Sequence, residues 1–116
     1  MKRVRFLYKS TCTTCRDARA FLRNLGSLEL DERDYAKLPF NADELRAIFK
    51  DGDPRDYLNP RSPAYKAMGL ARKSLTRDDA ITLMLRDSNL LKRPLLIAGK
   101  EIVTGFDRER YASIAN

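Results

Sequence analysis

Two cysteines separated by two residues are the side chains best able to do chemistry in this sequence. Cys12 and Cys15 follow the apolar strand-length run from Val4 to Tyr8. Backbone N–H groups and the dipole at a helix start stabilise a thiolate, which lowers the thiol pKa below the roughly 8.5 of a free cysteine. A second cysteine one helical turn along can attack a mixed disulfide or a sulfenic acid on the first. The spacing predicts Cys12 as the nucleophile and Cys15 as the resolving thiol.

Two other interpretations of the cysteine pair stay open. Free cysteines are often small, buried and inert, and two thiolates could also contribute to a metal site shared between molecules. The chain contains no histidine. It therefore has neither a histidine base nor the four Cys and His ligands of a usual zinc site, and we expect no bound metal.

Composition also bears on location and partners. No apolar run approaches the roughly 20 residues of a membrane span, and the basic N-terminus precedes too short an apolar stretch for a signal peptide. We expect a cytoplasmic protein that does not bind membranes. The formal charge of +7 comes from acids and bases that alternate along the chain. We interpret it as an ordinary basic surface, with an anionic partner or substrate as the alternative. Direct nucleic-acid binding is not expected, because no basic run is interleaved with aromatic residues.

Periodicity predicts the elements that position the cysteines. A strand over 4–8 leads into a helix that carries Ala18, Phe21, Leu22 and Leu25 on one face and ends at Gly26. A second strand is predicted over 28–34. Capping residues and apolar spacing then predict a helix after Asn41, short helical pieces over 53–74, a helix after Thr76, a hairpin over 94–103 with its turn at 99–100, and a final helix after Asp107.

The order βαβ, helical insertion, ββα indicates an α/β protein of the thioredoxin-like class. We predict one domain, residues 1–116, with a mixed sheet and helices on its two faces. Pro94 opens the later strand, where a missing N–H donor is tolerated. In a thioredoxin-like sheet this proline would instead be cis and would face the cysteines, with Arg93 beside it to hold an anion or a partner's backbone.

Four segments together carry a family resemblance: the strand ending at Cys12, the run 59–62 with Tyr65 and Leu70, the run 91–95 and the run 103–106. On these segments the chain resembles the glutaredoxin-dependent arsenate reductases (ArsC) and the redox-sensing transcriptional regulator Spx. The resemblance covers nearly the whole chain. It implies the thioredoxin-like fold and two candidate functions.

The first candidate is a reductase of an oxyanion or a disulfide. In the reductases one cysteine attacks arsenate while arginines hold the oxyanion, and the resemblance assigns these roles to Cys12, Arg61 and Arg93. No resident cofactor is implied, and glutathione with glutaredoxin, or thioredoxin, would supply electrons. We do not assign Arg108 as a further anion ligand, since an exposed residue in a first helical turn is usually solvated.

The second candidate is a regulator. The reductases lack a second cysteine in the loop, whereas the present pair is similar to that of Spx, in which an internal disulfide acts as a redox switch. Gly52 falls near the glycine with which Spx contacts the RNA polymerase α subunit. An ordinary helix-ending turn at Asp51 and Gly52 is the alternative. We favour the enzyme over the regulator only slightly. The preference is small because the same thiol chemistry serves both functions.

Overall fold

A computed structural model describes residues 2–116 of the chain. Strands and helices alternate in the predicted order βαβ, helical insertion, ββα. The elements are β1 (Lys2–Tyr8), α1 (Thr13–Leu25), β2 (Leu28–Asp34), α2 (Ala42–Ile48), α3 (Pro63–Ala67), α4 (Arg77–Arg86), β3 (Leu95–Ala98), β4 (Glu101–Thr104) and α5 (Arg108–Ala115). Short 3-10 helices occupy Pro54–Tyr57, Leu70–Arg72 and Ser88–Leu90.

The four strands form one mixed sheet in the order β2-β1-β3-β4. β1 and β2 are parallel along their whole length, from Lys2 opposite Leu28 to Tyr8 opposite Asp34. β3 runs antiparallel to both β1 and β4. This mixed sheet confirms the predicted fold class, and it places the carboxyl ends of β1 and β2 side by side.

The chain divides into two compact units. The first unit is the part up to Pro39 together with Arg93–Asn116, and it contains the whole sheet. One face of β1 buries Val4, Phe6 and Tyr8 against apolar side chains of α1 and α5. The other buried members of this core are Cys15, Ala18, Leu22, Leu28, Leu96, Val103, Tyr111 and Ile114. The β-branched and aromatic run of β1 and the helical spacing of α1 are the patterns that predicted these elements.

The second unit, Phe40–Lys92, contains α2, α3, α4 and the three 3-10 helices. α2 and α4 both begin with a capping box, formed by Asn41 with Glu44 and by Thr76 with Asp79. Two backbone hydrogen bonds join the segment around Tyr57 to the segment around Leu90. Asn59 N–H donates to Leu90 O at 2.7 Å, and Lys92 N–H donates to Tyr57 O at 2.8 Å. Whether the two units behave as the single domain expected from sequence stays a prediction.

Within residues 2–116, the structure has no helix with the length and apolar character needed to cross a membrane.

Candidate redox site

Cys12 is the N-cap residue of α1. Its backbone is extended (φ −98°, ψ 122°), its N–H donates to Lys9 O at 2.9 Å, and its carbonyl accepts the first helical bond from Arg16 N–H at 3.1 Å. Its side chain makes no capping bond to the backbone and is partly exposed. The first turn of α1 carries no acidic residue, so no carboxylate competes for the positive end of the helix dipole. This position suits a reactive thiolate.

Cys15 lies one turn into α1 and is fully buried in the core of the first unit. Both cysteines are free thiols. The Cys15 backbone N–H and thiol each donate to the Cys12 sulfur. The exposed thiol therefore has the buried one directly behind it, which is the arrangement needed for an internal disulfide.

The surroundings separate the acidities of the two thiols. Partial burial raises the pKa of Cys12, but hydrogen bonds from Cys15 and Arg93, together with the Arg93 charge, outweigh it and lower that pKa from its ordinary value. Burial raises the pKa of Cys15 to about 12, and the hydrogen bond to Cys12 and the charge of Cys12 add to this effect. Cys12 is therefore the more acidic of the two thiols, which is the order expected of a nucleophile and its resolving thiol.

Arg93 lies beside the pair, and Pro94 follows it in the first unit. The Arg93–Pro94 peptide bond is cis, as expected for this fold, and Pro94 is buried with its carbonyl oxygen accepting from Gly105 N–H at 2.9 Å. The Arg93 guanidinium donates to the Cys12 thiol. Its Nε and Nη1 atoms are buried and have no hydrogen-bond partner among residues 2–116. Two buried guanidinium nitrogens without a partner, on a side chain that is otherwise partly exposed, fit an anion held against Cys12.

Tyr35 is a neighbour of the cysteines that the sequence analysis did not assign to the site. Its backbone N–H donates to Tyr8 O at 3.0 Å, which fixes it at the carboxyl ends of β1 and β2. The side chain is buried, and burial, followed by the charges of Cys15 and Cys12, raises the pKa of its phenol, while Arg93 opposes them. A tyrosine after a charged strand carries no local pattern that would have shown this placement.

Asp34 holds the loop that precedes Cys12. Its Oδ1 accepts from Ser10 N–H at 3.2 Å and from Ala36 N–H at 3.1 Å. Slight burial raises the pKa of this carboxyl, but the hydrogen bonds from Ser10 and Ala36 and the charge of Lys37 lower it overall. The carboxylate therefore positions the backbone at the start of the cysteine loop.

Arg108 lies over two aromatic rings. Its guanidinium lies 4.6 Å from the ring centroid of Phe106 and 5.9 Å from that of Phe21. The residue is exposed in the first turn of α5, where the sequence analysis placed it. Cation–π contacts with two rings account for its position.

Arg61 and Gly52, the remaining candidates, belong to the second unit, and their roles stay predictions. Arg61 is exposed, and its backbone N–H donates to Asn59 Oδ1 at 3.1 Å. α2 ends at Ile48 with Phe49 as its C-cap, and the turn that follows is closed by the Gly52 N–H, which donates to Phe49 O at 3.2 Å without a positive φ at Gly52. Gly52 therefore lies in a turn directly after the helix, in agreement with the helix-ending interpretation, and its carbonyl accepts from Arg77 Nη2 at 2.7 Å.

A mixed sheet of order β2-β1-β3-β4, a Cys-x-x-Cys pair at the start of α1 and a cis-proline before β3 define the thioredoxin-like class. A model of the ArsC family matches residues 7–114. The chain belongs to the ArsC family.

Similarity to individual proteins covers regulators and reductases alike. The global transcriptional regulator Spx of Enterococcus faecalis is 32% identical over 107 residues, which span 89% of this chain and 80% of Spx. A solved structure of a possible arsenate reductase from Streptococcus mutans is 32% identical, with a TM-score of 0.71 over 89% of this chain and 90% of the other. The arsenate reductase of Vibrio cholerae, at 20% identity and a TM-score of 0.81 over 97% of this chain and 98% of the other, shows the fold alone.

Proposed function

We propose that the protein is a two-electron thiol oxidoreductase in which Cys12 is the nucleophile and Cys15 the resolving thiol. The observation that carries the proposal is the placement of a partly exposed Cys12 at the start of α1 with the fully buried Cys15 three residues further along the helix, and the opposite shifts of the two thiol pKa values agree with it. A low pKa and partial exposure make Cys12 the group that attacks, whereas Cys15 is buried and protonated until a covalent intermediate forms.

With a disulfide substrate, the Cys12 thiolate attacks one sulfur and the other leaves as a thiolate. Cys15 then loses its proton and attacks the Cys12 sulfur, which releases the second substrate thiolate. The substrate gains two electrons, and the two cysteines lose two electrons as they form the Cys12–Cys15 disulfide. With arsenate, the same two electrons reduce As(V) to As(III), and one oxygen leaves as water with the Cys15 proton and one proton from the solvent. Two thiols from glutathione with glutaredoxin, or from thioredoxin, restore the reduced pair.

The free donors of Arg93 support an anionic substrate. Nε and Nη1 are buried without a partner in the described part of the chain, and unsatisfied buried donors are costly unless a ligand accepts from them. An oxyanion held there would lie beside the Cys12 sulfur that the same guanidinium contacts.

Trapping the intermediate tests the order of attack. Incubation of the Cys15→Ala variant with an aromatic disulfide should leave a mixed disulfide on Cys12, detected by mass spectrometry of the digested protein. The Cys12→Ala variant should form no adduct. Adducts on Cys15 of the Cys12→Ala variant, formed at the wild-type rate, would contradict the assigned roles. Arsenite production with arsenate, glutathione and glutaredoxin then tests whether the oxyanion is the substrate.

A second function, a redox-sensing regulator that binds the RNA polymerase α subunit, is supported by Gly52. Its backbone does not require glycine, and a Cβ atom there would meet only the Tyr57 ring, at 3.7 Å. Neither conformation nor packing therefore explains the residue, while a close approach by a partner would. This regulator would present different surfaces with the Cys12–Cys15 pair oxidised and reduced.

The test is binding of purified RNA polymerase α subunit to oxidised and reduced protein. Gly52→Arg should abolish capture, whereas Ala20→Arg, an exposed substitution on α1, should not. Equal capture by the two variants would remove Gly52 from any such interface. Arsenate reduction without α binding would leave the enzyme as the function.

A further inference from the structure

The second unit carries a cleft that the redox chemistry does not use. It has a volume of about 520 Å³ and is lined by Pro60, Tyr65, Lys66, Gly69, Ala71 and Arg72. This size is within the range of sites that hold small ligands or a few side chains. Tyr65, partly buried, and the neighbouring Pro60 and Ala71 provide apolar walls, while Lys66 and Arg72 are exposed cations.

The frame of the cleft is built from short, hydrogen-bonded turns. Tyr65 and Lys66 lie on α3, and Arg72 ends the 3-10 helix Leu70–Arg72. Gly69 joins the two with φ +64°, donating to Lys66 O at 3.1 Å and accepting from Arg72 N–H at 3.1 Å. Leu70, 3% exposed, anchors this turn in the core of the second unit. The two cations therefore project from one fixed piece of backbone.

The positive charge around the cleft is uncompensated. Residues 57–76 contain Arg61, Lys66, Arg72 and Lys73 and no Asp or Glu. None of these four side chains forms an ion pair within residues 2–116. Elsewhere on the surface arginines meet carboxylates, as in Arg55 with Asp53 at 2.7 Å and Arg110 with Glu101 at 2.7 Å. This segment is therefore a local exception to the mixed charge of the rest of the chain.

We propose that the cleft binds an acidic peptide segment of a partner protein, with one bulky apolar side chain seated against Tyr65 and carboxylates near Lys66 and Arg72. The charge complementarity selects an acidic partner, and the apolar walls select a side-chain anchor. A nucleic-acid strand fits less well, because a series of bases needs several stacking aromatics and the cleft offers a single tyrosine. None of the six residues that line this cleft is among those assigned above to the thiol chemistry.

The experiment measures fluorescence anisotropy of a short labelled peptide in which Asp and Glu surround a single Phe. Wild-type protein should bind it saturably, and more weakly as salt rises. The charge-reversed variant Lys66→Glu/Arg72→Glu should weaken binding about tenfold or more, equivalent to at least 1.4 kcal/mol. Tyr65→Ala should weaken binding too, as should replacing the peptide Phe with Gly.

The matched control is Lys50→Glu/Lys100→Glu, which reverses two exposed lysines outside the cleft and gives the same net charge. Equal losses in the two charge-reversed proteins would reduce the effect to general attraction and overturn the proposal. Tighter binding of a single-stranded oligonucleotide of equal charge would assign the surface to nucleic acid instead. Cys12→Ser should bind the peptide normally, so that failure of the redox assignment and failure of this one are told apart. Circular dichroism of each variant checks that it is folded.

Discussion

Replacing Arg93 with glutamine should raise the pKa of Cys12, because the guanidinium both donates to the thiolate and carries the positive charge beside it. Two unit charges about 4 Å apart interact by roughly 4 kcal/mol at an effective dielectric constant of about 20. Partial exposure of Cys12 and salt screening reduce this to about 2 kcal/mol. Since one pKa unit corresponds to about 1.4 kcal/mol, the expected rise is roughly 1.5 units.

The measurement is the ultraviolet absorbance of the thiolate as a function of pH, checked by the pH dependence of alkylation at Cys12. The Cys15→Ala background should be used for both proteins, so that a single thiol titrates. Arg93→Lys should show an intermediate pKa, because an ammonium keeps the charge but loses the planar array of donors.

Arg108→Gln is the matched control, since its guanidinium lies over the Phe106 and Phe21 rings. It should leave the Cys12 titration unchanged. The reasoning is refuted if Arg93→Gln moves the Cys12 pKa no more than Arg108→Gln does. In that case the helix start and Cys15, not Arg93, would account for the low pKa.

Other consequences are equally measurable. The Cys15 thiol has a pKa near 8.5 in the unfolded chain and about 12 in the folded protein, so its contribution to stability is full below about pH 8.5 and is lost as the pH rises toward 12. The free energy of unfolding measured by denaturant titration should therefore fall over that pH range more for the wild type than for Cys15→Ala. Thr76→Ala removes a capping bond and should cost about 1 kcal/mol of unfolding free energy, whereas Ser62→Ala, at a helix start whose buried hydroxyl has no partner in the described chain, should cost nothing by the same assay. Tyr111→Phe removes the hydroxyl that donates to Gly105 O and should lower the free energy of unfolding by about 1 kcal/mol; an unchanged denaturation midpoint would show that this bond contributes nothing.

Local signals account for the parts of the fold that sequence predicted well. The Asn41 and Thr76 capping boxes and the Gly26 end of α1 each depend on residues within one or two turns, and all three appear in the structure. The Cys12 position at a helix start follows from the same kind of signal. Such features need no knowledge of what packs against them.

Other features of the site depend on contacts between distant parts of the chain. Tyr35 reaches the cysteines only because β1 and β2 end together, and Arg93 faces Cys12 only through the placement of β3 beside β1. The sequence also does not show that two Arg93 nitrogens are buried without a hydrogen-bond partner in the described chain, because burial depends on the packing of the folded chain. The excess of positive charge over residues 57–76 can be read from the sequence, but it is easily overlooked because acidic and basic residues are mixed along the rest of the chain.

The first turn of α1 also shows a compromise between stability and reactivity. Most helices gain roughly 0.3–1 kcal/mol from a carboxylate near the N-terminus, and α1 has none there. An aspartate at the exposed Thr13 would stabilise the helix, but its negative charge would disfavour the Cys12 thiolate next to it. A substitution selected for stability at this position would therefore make Cys12 a slower nucleophile. Directed evolution scored on melting temperature alone should find variants of this kind, which are more stable and less reactive.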